Sequence, residues 1–304
     1  MRATDVAALH DSVLTWYAAH RRDLPWRAPH RTPWGVLVSE VMLQQTPVVR
    51  VLPVWERWMD AWPTPADLAA EPSGTAVREW GRLGYPRRAL RLHAAATAIR
   101  DLHGGEVPSD EETLRTLPGI GDYTAAAVAA FAFGRRATVV DTNVRRVHAR
   151  ALTGTALPAP SLTRAEVALA TSLLPQDDAE AATWSVAVME LGALVCTARA
   201  PRCGECPVAG RCAWLRAGSP AHDGPARRGQ AWAGTDRQCR GTLLQVLREV
   251  DGPVPGETLR AAWPGRGAAR DASHELQRDR CLDALVAEGL VEPLAGDRYR
   301  LPGT

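Results

Sequence analysis

Cys196, Cys203, Cys206 and Cys212 lie in the run CTARAPRCGECPVAGRC, spaced C-x6-C-x2-C-x5-C. Four thiols within seventeen residues cannot usefully pair as disulfides without severe loop strain,. They can close around one metal centre. Thiolate is the soft ligand that suits zinc or an iron–sulfur cluster. A four-thiolate zinc site usually splits into two C-x2-C knuckles separated by a longer loop. This run has one C-x2-C with a wider gap on each side, which suits a thiolate-held cubane better than a single tetrahedral ion. Four unrelated buried thiols is the competing explanation. Thiolate ligands also call for a reducing compartment.

Length and charge set the frame around that loop. At 304 residues, two domains are expected, with room for a small third,. A formal net charge of +2 gives no global basic field. All 36 basic side chains are Arg. A codon bias explains that, but the consequence is chemical. Arg grips phosphate bidentately, and without Lys no side chain can form a Schiff base. The N-terminus reads as an amphipathic helix carrying Asp5, His10 and Asp11, not as a signal peptide,. The longest apolar stretch, Thr124 to Gly134, is too short to span a bilayer,. A soluble cytoplasmic protein is the expectation.

The pattern is helical almost throughout. Apolar residues recur at three- and four-residue spacing from Val6 to Tyr17, Val36 to Trp58, Ala89 to Leu102 and Ala179 to Val195,. Ser109-x-x-Glu112 reads as a capping box. A linker rich in Gly, Pro and Ala is expected over 217–234. Beyond it, Arg237–Val250 and His274–Glu288 pattern as amphipathic helices. The tail then reads as two short strands joined at Ala295-Gly296-Asp297,. Helices followed by a two-stranded wing suggest a small winged-helix-like module.

Four segments carry chemistry. In LPGIGDYT, Gly119 and Gly121 separate two helices and bring backbone N–H groups and a helix start toward a ligand, a main-chain phosphate cradle,. A plain turn is the alternative. In SEVMLQQT, Glu40 sits in a run apolar on several sides, so burial should raise its pKa toward that of a general acid,. A structural Glu paired to Arg is the alternative. Gln44 and Gln45 offer amides that could read base edges or fill a gap in a duplex. In VVDTNVRRVHAR, Asp141 stands at a helix start, where an N-cap is its plain role. Arg145, Arg146 and Arg150 mark a phosphate-seeking side, or merely a solvated one,. In RRDLPWR, cations stand beside an exposed-looking Trp26, as base stacking would need. A Trp packed at a domain seam is the alternative. Arg199 and Arg202 put charge on the cysteine loop, within reach of phosphate.

Together these residues resemble the helix-hairpin-helix DNA glycosylases, and among them the adenine DNA glycosylases, over roughly residues 5–216. RRDLPWR, SEVMLQQT, LPGIGDYT, VVDTNVRRV, MELGALVC and the cysteine spacing carry the resemblance. It implies a mainly α fold with a six-helix barrel domain over 31–135. It also implies an iron–sulfur domain over 1–30 and 136–216, a 217–234 linker and the winged-helix-like module at 235–304. It implies one [4Fe-4S] cluster on the four cysteines, a monomer, no membrane, and double-stranded DNA containing a mismatch as partner.

The activity implied is monofunctional removal of adenine opposite 8-oxoguanine or guanine in base excision repair. Glu40 would protonate the extruded base and Asp141 would stabilise the oxocarbenium-like sugar, two carboxylates in two protonation states. Tyr123 and Asn143 would support them. Arg22, Trp26, Arg27, Leu43, Gln44 and Glu190 match positions around the base, and Gln45 the residue that enters the emptied duplex. Gly119, Gly121, Arg145, Arg146, Arg199 and Arg202 are expected on the DNA backbone. The lyases of the same fold carry a Lys where this chain has Tyr123. One departure stands out: residues 235–304 are unlike the nucleotide-pool-hydrolase domain that commonly reads 8-oxoguanine in this family. A glycosylase for another base, such as thymine opposite guanine, and a non-catalytic redox-sensing DNA-binding protein are the alternatives.

Overall fold

A computed structural model describes residues 3–222, 224, 232–263 and 272–304; residues 223 and 225–231 of the expected linker lie outside the described residues. The protein is mainly helical. In chain order the helices are α1 (Ala3–His20), α2 (Pro33–Leu43), α3 (Val48–Ala61), α4 (Pro65–Ala70), α5 (Ser73–Trp80), α6 (Arg87–Leu102), α7 (Glu111–Thr116), α8 (Asp122–Phe133), α9 (Thr142–His148), α10 (Arg164–Ser172), α11 (Asp178–Leu194) and α12 (Ala213–Arg216). The C-terminal segment adds α13 (Asp236–Glu249), β1 (Val254–Pro255), α14 (Gly256–Ala262), α15 (Ala272–Ala287), β2 (Glu292–Leu294) and β3 (Arg298–Arg300).

Two compact units result. One is Met1–Glu40 with Ser109–Thr116 and Ile120–Ala226; the other is Val41–Pro108 with Leu117–Gly119 and Arg227–Thr304. In the first, Leu9, Val13, Trp16 and Tyr17 of α1 pack with Val144 and Val147 of α9 and with Trp184, Val188 and Leu191 of α11. The His10 ring meets Trp184 edge-on at 4.6 Å and bonds the Leu173 carbonyl at 2.7 Å, which anchors the N-terminal helix,. The cysteine loop follows α11 directly.

In the second unit Trp58 packs edge-on against Trp80 and Trp62. The C-terminal segment is a small winged module whose sheet has the order β1-β3-β2, all antiparallel. The two-residue strand β1 is one the sequence pattern does not signal. The module is seated on α5. Arg248 Nε donates to the Val77 carbonyl at 3.0 Å, Arg78 pairs with Asp251, and the Gly74 N–H donates to the Pro302 carbonyl at 2.8 Å. A Cβ on Gly74 would lie 2.6 Å from that oxygen, so only glycine allows the approach,.

Two local expectations change. The apolar stretch Val36–Trp58 is not one helix. It breaks after Leu43, where Gln45 adopts a left-handed φ of 59° and Pro47 caps α3 without a side-chain bond,. The cap of α7 falls on Asp110, whose carboxylate accepts from the Thr113 N–H at 2.8 Å, not on Ser109,. No helix among the described residues is long and apolar enough to cross a membrane.

Candidate active site and cysteine loop

Helix α2 is apolar on most sides, and Glu40 is 6% exposed within it,. Burial raises its pKa to about 7, and a nearby Asp141 charge adds to the rise,. Opposing it are the hydroxyl of Tyr123, which donates to Glu40 Oε2 at 2.9 Å, and the Arg27 cation. Tyr123 itself is held well above the ordinary phenol range, first by burial and then by Glu40 and Asp141. It therefore stays a donor.

Asp141 is the N-cap of α9, as its position after Val140 predicts. Oδ1 accepts from the Asn143 N–H at 2.8 Å and the Val144 N–H at 2.7 Å, and Oδ2 from Asn143 Nδ2 at 2.7 Å,. Burial raises its pKa above the ordinary carboxylate value, although the three donors and Arg146 pull the other way. The bonds to the charged form and the positive end of α9 both favour a carboxylate. One carboxyl is thus held protonated near neutrality while its neighbour is surrounded by donors.

Asn143 is tied onward. Its Oδ1 accepts from Arg146 Nη2 at 2.8 Å; the same nitrogen donates to the Gly192 carbonyl at 2.7 Å, and Arg146 Nε to the Cys196 carbonyl at 2.6 Å. Gly192 is required here, since a Cβ would stand 2.7 Å from Asn143 Cβ and 2.8 Å from its carbonyl oxygen. A continuous path therefore runs from Asp141 to the first cysteine. Sequence reasoning missed Gly192, which stands in the MELGALVC run; a glycine inside an otherwise continuous helix is the signal that finds it.

Glu190 is fully buried. Arg22 grips it with Nε at 2.8 Å, Nη2 at 2.6 Å and its own N–H at 3.0 Å, and Arg27 Nη2 adds a bond at 3.0 Å. Burial pushes the carboxylate up, but these cations dominate and hold its pKa at about 2,. Trp26 is 4% exposed, against the exposed aromatic expected, because a 3-10 turn at Pro25–Arg27 carries it inward.

Two backbone-contact expectations are corrected. Arg145 and Arg146 are 9% and 8% exposed. Arg145 is spent on a bidentate pair with Glu166 and on the Ala159 and Ser161 carbonyls, and Arg146 on the path above. Neither guanidinium faces phosphate. Arg199 is exposed on the cysteine loop, and Arg202 bonds the Leu194 carbonyl at 2.6 Å and pairs with Glu205.

In the hairpin, Gly119 has φ of +79° and would bring a Cβ to 2.6 Å from Arg91 Cβ, whereas Gly121 is extended. Gly121 caps α8 with no side-chain bond, so the helix start is uncovered,. Both glycines are exposed. Leu43, Gln44 and Gln45 close α2 and belong to the other unit, where Gln45 is exposed.

The four thiols share one loop and influence one another electrostatically. Cys196, Cys203 and Cys212 all help raise the Cys206 thiol, which burial pushes up to about 11, and Cys196 and Cys212 act likewise on Cys203. No group of three or more His, Cys, Asp or Glu among the described residues is placed to hold a single metal ion. Arg150 braces the loop from the π-turn that continues α9. Nη1 lies 3.5 Å from Cys196 Sγ and 2.7 Å from the Thr197 carbonyl, and Nη2 is 3.0 Å from the Ala198 carbonyl.

A family model described as HhH-GPD superfamily base excision DNA repair protein matches residues 38–171. The iron-sulfur binding domain of endonuclease III matches 196–212, the span of all four thiols. The adenine DNA glycosylase of Mycobacterium tuberculosis (strain CDC 1551 / Oshkosh) is 53% identical over 293 residues, 96% of this chain and 93% of that protein. The chain belongs to the adenine DNA glycosylases. The adenine DNA glycosylase of Mycolicibacterium smegmatis is 52% identical over 96% of the chain and 95% of its own length, and the human one 42% over 68% and 39%. A solved thermostable thymine-DNA glycosylase superposes on this glycosylase with a TM-score of 0.63 at 28% identity, covering 71% of this chain and all of that one. An endonuclease III–DNA complex gives 0.60 at 25%, over 71% and 98%. Membership makes the protein an N-glycosylase of base excision repair carrying an iron–sulfur binding domain.

Proposed function

We propose that the protein removes adenine mispaired with 8-oxoguanine or guanine, by hydrolysis alone, with Glu40 as the proton donor. The observation that carries this reading is the carboxyl pair. Glu40 is poised at about 7 beside a phenol donor, and Asp141 is encircled by N–H groups. Glu40 protonates the extruded purine and weakens its bond to the sugar. Asp141, facing positive charge as it builds on the sugar, stabilises it and guides water. Tyr123 and Asn143 position the two acids.

Arg22, Trp26, Arg27, Leu43, Gln44 and Glu190 are assigned to recognition of the extruded base. Gln45 enters the space the adenine leaves. Gly119, Gly121, Arg199 and Arg202 hold the DNA backbone. The protein acts as a monomer on double-stranded mismatched DNA in the cytoplasm. With no Lys in the chain, strand cleavage through a Schiff base has no side-chain amine to start from,.

Cys196, Cys203, Cys206 and Cys212 would hold one [4Fe-4S] cluster. Four mutually interacting thiols on one loop and the guanidinium beside Cys196 Sγ fit a thiolate-held group,. Bound, the cluster supplies a redox-capable staple for the loop; no proton of the reaction passes through it.

Incubation with an adenine:8-oxoguanine duplex should release free adenine, with strand breaks only after alkali. Release from neither that duplex nor adenine:guanine overturns the reading. The likeness in fold to a thymine-DNA glycosylase favours a second reading, thymine opposite guanine, which a panel of mismatched duplexes separates. A purely DNA-binding protein would release no adenine, and Glu40→Gln would change nothing beyond binding.

A further inference from the structure

In the winged module, α15 exposes Glu275, Asp279 and Asp283 at four-residue intervals, with Asp279 paired to Arg278. Arg260 and Arg300 near the wing are paired with Asp297 and Glu292.

Within the same unit, two loops are stitched into one body. The turn after α2 carries Gln44, Gln45 and Thr46; the loop before α6 carries Arg82 to Tyr85. Thr46 Oγ1 donates to the Leu83 carbonyl at 3.2 Å, and Arg50 donates to the Arg82 carbonyl. The Tyr85 hydroxyl donates to Gln45 Oε1 at 2.7 Å. Gln45 and Tyr85 both hold left-handed backbone, φ 59° and 48°, a strained conformation for residues other than glycine,. Both are exposed, Tyr85 by 52%. Strain of this kind persists where surrounding contacts over-determine it. Arg88 adds a further contact to both loops. Its guanidinium donates to the Gln44 carbonyl and lies 4.4 Å over the Tyr85 ring,.

We propose that Arg88 is a positioning residue for opposite-base discrimination: it clamps the Gln44 carbonyl and the Tyr85 ring so that Gln45 and Tyr85 present a preformed double tip to the duplex. This rests on the reading of Gln45 as the residue that fills the vacated space. In that event the Tyr85–Gln45 bond breaks and the two polar groups are released to the bases. Arg88 keeps the backbone that bears them from relaxing. Arg88 touches neither the extruded base nor the reacting sugar in this scheme, so its effect is on tip insertion and on the choice between partner bases.

The test uses the full-length protein and a duplex with non-hydrolysable adenosine opposite 8-oxoguanine or guanine, with 2-aminopurine beside the mismatch. Tip insertion unstacks the probe and raises its fluorescence. Arg88→Ala should abolish most of that rise. It should also cut adenine release from natural adenine:8-oxoguanine duplex by about ten- to hundredfold, the equivalent of one hydrogen bond plus a cation–π contact. Arg88→Lys, which restores a donor and a cation over the ring, should recover much of both. The salt dependence of duplex binding should be that of wild type. A full fluorescence rise in Arg88→Ala overturns the proposal. So does a fall of about one in the slope of log affinity against log salt, which would make Arg88 a phosphate contact. So does an unfolded Arg88→Ala together with Arg88→Lys no better than Tyr85→Leu. If wild type releases no adenine, the activity reading fails, and the fluorescence still decides the role of Arg88.

Discussion

Replacing Tyr123 by Phe isolates one bond, the 2.9 Å donation to Glu40 Oε2. The phenol stabilises the ionised carboxylate, so it lowers a pKa that burial has raised to about 7. A hydrogen bond to a charged group contributes about 1.5–3 kcal/mol, of which the neutral carboxyl keeps part. A difference of about 1.4 kcal/mol corresponds to one pKa unit. Tyr123→Phe should therefore lift Glu40 by about one to one and a half units. Glu40 reacts protonated, so wild-type turnover is full below about 7 and falls roughly tenfold per pH unit above it,. The variant should hold its rate to higher pH, with its falling limb displaced upward by that amount. Single-turnover adenine release from about pH 5 to 10, with saturating enzyme, measures the limb directly. A limb that stays in place, or moves down, refutes the assignment of Glu40 as the acid. A variant silent at every pH but still bound to duplex would put the phenol itself in the reaction.

Glu40→Gln should be inactive and more stable. The raised carboxyl costs folding up to about 3 kcal/mol above pH 7, a cost absent below the unfolded pKa near 4.5, so the denaturation gap between variant and wild type should appear at pH 8 and close in acid,. Glu190 runs the other way. Its depressed pKa contributes about 3 kcal/mol above roughly pH 4.5, lost as pH falls toward 2, and Glu190→Gln should cost about 3–5 kcal/mol in a denaturant titration because two cations lose their partner,. Gly192→Ala drives a methyl into Asn143, so crystallography should find the Asn143–Asp141 bond broken and kinetics a drop in rate with duplex binding retained. Purified protein should be brown with broad visible absorbance that Cys206→Ser abolishes; zinc alone on elemental analysis would refute the cluster.

The acids and thiols were legible because their residue types are rare in the settings they occupy. Glu40 stands out inside Val36–Leu43, and four thiols crowd one short loop. The partners that decide what a charge does were not legible. Arg145 finds Glu166 twenty-one residues on, Arg146 finds Cys196 fifty on, and Arg22 finds Glu190 across 168 positions. Spacing along a helix marks such guanidiniums as available to solvent, and only folding shows them consumed. Trp26 fails for the same reason, since a single turn decides which way its ring points. The break between α2 and α3 is also hidden, because Gln44 and Gln45 are good helix formers. It takes the stitched loops to hold Gln45 at a positive φ,.

The seat of the winged module on α5 bears on how this glycosylase can be rebuilt. Arg78, Arg248 and the bare backbone of Gly74 are contributed by both sides of the joint. The tail is therefore no interchangeable cartridge. A chimera that imports another C-terminal domain must bring its own version of Ser73–Trp80 with it, or leave the Val77 carbonyl, the Gly74 N–H and the Arg78 guanidinium stranded at the graft.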